Sequence, residues 1–86
     1  MIKKVIMPVL GETMEEGTIF KWRKQIGDHV EKGAVLLEVE TDKAVLEVES
    51  FLNGYLRKIV VQERGTSKIG ETIALIADTM EEPLEE

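Results

Sequence analysis

Eighty-six residues with no cysteine and a single imidazole, His29, leave no easy disulfide or metal staple, so the fold must rest on one thin apolar core. The longest uncharged apolar run unbroken by proline, Ile73–Ala77, has five residues, which excludes a membrane-spanning helix, and an apolar signal segment is not expected. A net charge of −6, without a basic stripe or an aromatic ladder, argues against nucleic acid and for a basic protein partner.

Nine valines, eight isoleucines and six threonines lie in short runs separated by seven glycines, a pattern of strands rather than helices. The first strand is expected over Lys3–Val9. The stretch from Thr13 to Gly17, with Glu15 and Glu16, is too short and too glycine-bounded for a helix and reads as a loop. Strands then follow over Thr18–Arg23, near His29–Val30, over Val35–Thr41, Ala44–Ser50 and Tyr55–Val61, near Ser67–Lys68, and over Glu71–Ala77. From Asp78 onward there are five acids and no base, interrupted by Pro83. Residues 80–86 accordingly read as an acidic linker or tail, and 1–79 as the domain.

The two halves match at an offset of 37 residues. Gly17-Thr18-Ile19 falls on Gly54-Tyr55-Leu56, Gly33 on Gly70, and Val35–Val39 on Thr72–Ile76. Two copies of a four-strand unit predict an all-β fold, a flattened barrel or sandwich of two small antiparallel sheets with internal pseudo-two-fold symmetry. In the second half Arg64 takes the slot of Gly27, and Ser67 stands where Val30 predicts an apolar residue.

The sharpest local pattern runs from Leu37 to Ser50, with period 2 on both arms of a hairpin. Leu37, Val39 and Thr41 face inward on the first arm, as do Ala44, Leu46, Val48 and Ser50 on the second. A two-residue loop at Asp42-Lys43 sets Thr41 opposite Ala44, Val39 opposite Leu46 and Leu37 opposite Val48. A one-residue slip would expose the whole apolar set. This register also opposes Glu38 to Glu47. Between Glu38 and Glu49 five carboxylates surround one base, Lys43, a local charge of −4. An ordinary solvated edge hairpin with a charged tip reads equally well from charge and register alone.

Glu40-Thr41-Asp42-Lys43-Ala44, preceded by Leu37 and Val39 and followed by Glu47, Val48 and Ser50, resembles the attachment motif of lipoyl domains. These are the swinging-arm carriers of dihydrolipoamide acyltransferases in 2-oxo acid dehydrogenase complexes. The resemblance spans roughly residues 2–79. It takes in Met7-Pro8, Glu16-Gly17-Thr18-Ile19 with Trp22, Gly27-Asp28-His29-Val30, Gly33, Asn53-Gly54 and Gly70. Phe51 departs from the proline the family often has there. Biotinyl carriers share the biotinyl/lipoyl-like fold but flank their lysine with methionines, whereas Asp42 and Ala44 stand here.

The resemblance implies lipoate in an amide on Lys43, which removes one positive charge and takes the local patch from −4 to −5. It implies four partners: a thiamin-dependent 2-oxo acid dehydrogenase component, an acyltransferase catalytic domain, dihydrolipoamide dehydrogenase and a lipoate-attaching enzyme. Glu40, Thr41, Asp42, Ala44 and Glu47, with Glu12 and Glu15 of the first loop, are the expected recognition residues. Pyruvate is the expected substrate class, with branched-chain, 2-oxoglutarate and acetoin systems as the alternatives, and the setting a prokaryotic cytoplasm or a mitochondrial matrix. No catalytic residue is expected within the domain, no metal ligand set and no membrane contact. Ser50 and Ser67 lie in no nucleophile elbow, and no glycine run forms a phosphate loop. A biotin carboxyl carrier, a glycine-cleavage carrier and an unmodified β interaction domain are the alternatives.

Overall fold

Alternation becomes pleat throughout the chain. The computed structural model describes residues 2–11, 14–81 and 83, and these contain eight strands and no helix. In chain order they are β1 (Ile2–Ile6), β2 (Glu16–Trp22), β3 (His29–Val30), β4 (Val35–Glu40), β5 (Val45–Glu49), β6 (Gly54–Ile59), β7 (Thr66–Lys68) and β8 (Thr72–Ala77). Each predicted strand is present, with ends that shift by up to three residues. The largest shift is at β1, which stops at Ile6 instead of Val9 because Pro8 has no N–H to extend a ladder. The expected loop over Thr13–Gly17 is also shortened, because Glu16 and Gly17 already pair with Lys68 and Ser67.

The strands form two antiparallel four-stranded sheets, ordered β1-β8-β6-β3 and β5-β4-β2-β7. Advancing every strand of the first sheet by four, cyclically, generates the second, so the pseudo-two-fold is real. Loop hydrogen bonds repeat it. Gly27 N donates to Leu56 O at 2.7 Å, and its image Arg64 N donates to Ile19 O at 2.6 Å. Ser50 N donates to Ala34 O at 2.8 Å, and its image Met7 N to Glu71 O at 2.9 Å. The core consists of the same exchange pairs: Ile19 with Leu56, Leu36 with Ile73, Leu37 with Ala74, and Val39 with Ile76, all buried between the sheets. At roughly 1.5–3 kcal/mol per buried large aliphatic side chain, this shared layer is the main source of stability. The radius of gyration is 12.4 Å, as expected for one domain of this length.

The symmetry survives two substitutions. Ser67 occupies the buried place of Val30, with its hydroxyl 3.2 Å from Lys68 O and 3.4 Å from a Glu71 carboxylate oxygen. Arg64 holds a left-handed φ of 72°, where its image Gly27 has 98°. A non-glycine residue there costs about 1–2 kcal/mol, against about 0.5–1 kcal/mol of extra chain entropy that glycine loses on folding. Arg64→Gly should therefore raise stability by up to about 1 kcal/mol. The check is a higher urea midpoint at unchanged slope; a lower midpoint would mean that the arginine side chain holds the turn.

Candidate functional site

Strands β4 and β5 pair as the period-2 pattern requires: Leu37 opposite Val48, Glu38 opposite Glu47, Val39 opposite Leu46 and Glu40 opposite Val45. Beyond that last pair the chain turns over Asp42 and Lys43, and Thr41 N donates to Ala44 O at 2.8 Å. Lys43 is exposed and lies outside either strand. No ion pair to its nitrogen is found among the described residues. The geometry presents one primary amine at the tip of a hairpin whose first arm is also paired with β2 and whose second arm is the edge of the sheet.

Thr41 organises the tip. Its hydroxyl donates to Ala44 O at 3.0 Å and accepts from Lys43 N at 3.3 Å and from Ala44 N at 3.2 Å. At the base of the second arm, buried Ser50 makes a related turn, donating to Leu52 O at 2.7 Å and accepting from Leu52 N at 3.0 Å. Phe51 follows with 79% of its surface exposed. Ala44, expected on the inward face, is exposed, because on this arm the core ends at Val48 and the tip projects past it.

Two open grooves flank the tip. One, of about 470 Å³, is lined by Met14, Glu15, Glu16, Gly17, Thr18, Glu40, Thr41 and Asp42. The other, of about 340 Å³, is lined by Leu10, Gly11, Met14, Leu46 and residues Thr41 to Ala44. Met14 divides them, its sulfur accepting from Leu10 N at 3.4 Å. The first groove is acidic on both walls, and the second sets Leu10, Met14 and Leu46 against Thr41, Asp42 and Lys43.

Of the expected recognition residues, Glu15, Glu40, Thr41 and Asp42 are brought together along the first groove, and Ala44 lines the second. Glu47 lines neither groove: it sits two ladder pairs back from the Glu40–Val45 pair, about 7 Å along the strand. Its opposed partner Glu38 is neutralised by Arg23, 2.6 Å away on the loop after β2, which relieves the like-charge pairing. Glu12 lies outside the described residues. Glu16 and Met14 enter the site because β2 pairs with β4, setting Thr18 opposite Glu40 and carrying the first loop to the hairpin tip.

The other chemically capable side chains lie elsewhere. His29 stacks edge-on against Tyr55 with ring centroids 5.0 Å apart, and no cluster that could hold a metal ion is found among the described residues. Trp22 is a core residue whose indole N–H donates to Val61 O at 3.0 Å.

Comparisons with known proteins converge on this hairpin's setting. A biotin/lipoyl family model, described as "Biotin-requiring enzyme", matches residues 3–76. Dihydrolipoyllysine-residue acetyltransferase component 5 of the chloroplastic pyruvate dehydrogenase complex of Arabidopsis thaliana is 46% identical over 81 residues, covering 94% of this chain and 17% of that protein. The dihydrolipoyllysine-residue succinyltransferase component of the 2-oxoglutarate dehydrogenase complex of Staphylococcus saprophyticus is 41% identical over 75 residues, covering 87% of this chain and 18% of that protein. The chain thus spans less than a fifth of the length of these relatives. Among solved structures, the lipoyl domain of the 2-oxoglutarate dehydrogenase complex of Azotobacter vinelandii superimposes with a TM-score of 0.71 at 29% identity, covering 88% of this chain and 96% of that one.

Proposed function

The chain belongs to the biotin/lipoyl family, and on that premise we propose that Lys43 carries lipoate as the swinging arm of a 2-oxo acid dehydrogenase complex. The observation that carries this reading is the exposed Lys43 amine at a two-residue tip, flanked by Asp42 and Ala44 and not by methionines. The relatives that match almost the whole chain are dihydrolipoyllysine-residue acetyltransferase and succinyltransferase components.

The residues present fit such a group. The amine projects beyond the β4–β5 ladder, where an attaching enzyme can close around it and join it to the cofactor's carboxyl as an amide. When bound, the dithiolane supplies a disulfide that accepts an acyl group with two electrons, yields the acyl group to coenzyme A and is afterwards reoxidised. The protein's share is placement. The paired strands keep the attachment point from folding back onto the core, and the grooves beside it offer surfaces that partner enzymes can read. A tethered carrier raises the arm's local concentration at each active site without a tight interface. The domain, spanning residues 1–79 with the acidic segment 80–86 as linker, needs no catalytic residue of its own. Its partners are a thiamin-dependent dehydrogenase component, an acyltransferase domain, dihydrolipoamide dehydrogenase and a lipoate-attaching enzyme. Pyruvate is the proposed oxo acid.

The test is to lipoylate the domain with a lipoate-attaching enzyme, confirm the mass increment, and offer it to dehydrogenase components with their own oxo acids. Acylation by the pyruvate-type component above the others supports the full reading. Acylation by a different component moves the substrate class alone. Biotin in place of lipoate after exposure to both attaching enzymes would overturn the reading.

Recognition is assigned to the acidic groove wall beside the tip. The double variant Glu40→Gln, Asp42→Asn should lower kcat/KM for reductive acylation about three- to tenfold at low salt, with the gap narrowing as ionic strength rises. Unchanged kinetics at low salt would remove charge from the account.

A further inference from the structure

The Thr41 side chain behaves unlike its neighbours at the tip. A hydroxyl has one proton to give and two lone pairs to receive with, and Thr41 uses all three inside the turn. In an ordinary two-residue hairpin the residues flanking the loop exchange backbone bonds in both directions. Here Thr41 N donates to Ala44 O at 2.8 Å, while Ala44 N returns its bond to the Thr41 hydroxyl at 3.2 Å. The same oxygen accepts Lys43 N at 3.3 Å, so one side-chain atom fixes the backbone on both sides of the Lys43 side chain. Little capacity is left in that hydroxyl for a partner protein.

We propose that Thr41 is a positioning residue for lipoyl attachment: its hydroxyl replaces a closing backbone contact and sets the direction in which the Lys43 amine leaves the hairpin. The role rests on the carrier reading above. It separates Thr41 from Asp42 and Glu40, which present charge to a partner, whereas Thr41 acts within the turn. Loss of the hydroxyl leaves two amides of the tip without their acceptor while β4 and β5 remain paired up to Glu40 and Val45. The backbone that carries the Lys43 side chain would then sample more conformations, and a small error in presenting a nucleophile can reduce a rate a hundredfold or so.

The experiment compares wild type, Thr41→Ser and Thr41→Val by steady-state lipoylation and by amide hydrogen exchange. Valine keeps the branched shape and removes both donor and acceptor; serine keeps the hydroxyl. The valine variant should lose about tenfold or more in kcat/KM for attachment, and the serine variant should retain most of the wild-type value. Exchange at the Lys43 and Ala44 amides should accelerate in the valine variant only, with Leu37 and Val39 unchanged as the control for an intact fold. Attachment to Thr41→Val at the wild-type rate, or unaltered exchange at those two amides, overturns the positioning role and leaves the carrier reading standing. A wild-type domain that accepts no lipoyl group overturns both.

Discussion

Lys43→Arg should abolish lipoylation and leave the fold unchanged. Arginine keeps the length and positive charge of the tip, but its delocalised guanidinium does not lose a proton to become an acylatable amine. The side chain is exposed and makes no ion pair with any described residue, so the substitution should change stability by no more than about 0.5 kcal/mol. Intact mass after treatment with an attaching enzyme should show no increment, and transfer of labelled acyl groups from a dehydrogenase component should fall to background. The other lysines supply the internal control. Lys3, Lys4, Lys21, Lys58 and Lys68 lie within strands, while Lys24 and Lys32 lie in the loops on either side of β3. A lipoyl group mapped by peptide mass spectrometry to any of these in the Arg variant would move the site away from the β4–β5 tip.

The second large effect is on folding and should appear at one of two symmetry-related glycines far more than at the other. Gly54 and Gly17 are images under the pseudo-two-fold, and both are buried. A Cβ at Gly54 would stand 2.5 Å from the Ala77 carbonyl oxygen, on backbone with φ of 151°. A Cβ at Gly17 would meet the Met14 methyl at 2.6 Å and a Val39 methyl at 2.8 Å. Side-chain ends can move, particularly that of methionine. A carbonyl in the β6–β8 ladder cannot move without breaking the pairing of Tyr55 with Ala77. Gly54→Ala should therefore cost about 3 kcal/mol or more, combining overpacking with an unfavourable dihedral, whereas Gly17→Ala should cost about 1–2 kcal/mol. A domain of this length holds only about 5–10 kcal/mol in total, so the first variant should melt far below wild type. Equal midpoints for the two variants in urea would show that β6 and β8 can separate locally at little cost.

Why the hairpin was readable in the sequence and its surroundings were not follows from the range of the interactions involved. Leu37, Val39, Leu46 and Val48 alternate on contiguous chain, so one turn determines their partners, and the structure has the pairs that alternation demands. Repeated glycines and apolar segments likewise disclosed the two sheets, since each half is a copy of the other. Ala44 shows where a local pattern stops being informative. It continues the inward alternation, but the facing layer ends before it does, and no nearby residue signals that edge. Glu47 and Glu16 lie where distance along the chain does not place them, for a related reason. Distance along the chain favours Glu47, four residues from Lys43, while the β2–β4 pairing brings Glu16 to the tip from much further away. Arg64 is a different case: a left-handed turn is retained without the residue that usually marks it, and the slot could be recognised only through its image at Gly27.

The exchange of halves also bears on how the chain can be rewired. Under the two-fold, the Glu40–Val45 pair that closes the lysine turn coincides with the pairing of Ala77 and Ile2. Those two residues face each other across neighbouring strands, as far round the axis from Lys43 as a rotation can carry them. A permuted chain, opened in the loop between β3 and β4 and spliced from Ala77 to Ile2 through a copy of Thr41–Ala44, would close a second hairpin on the opposite flank. One body would then present two antipodal arms, each seated on an equivalent pair of strands.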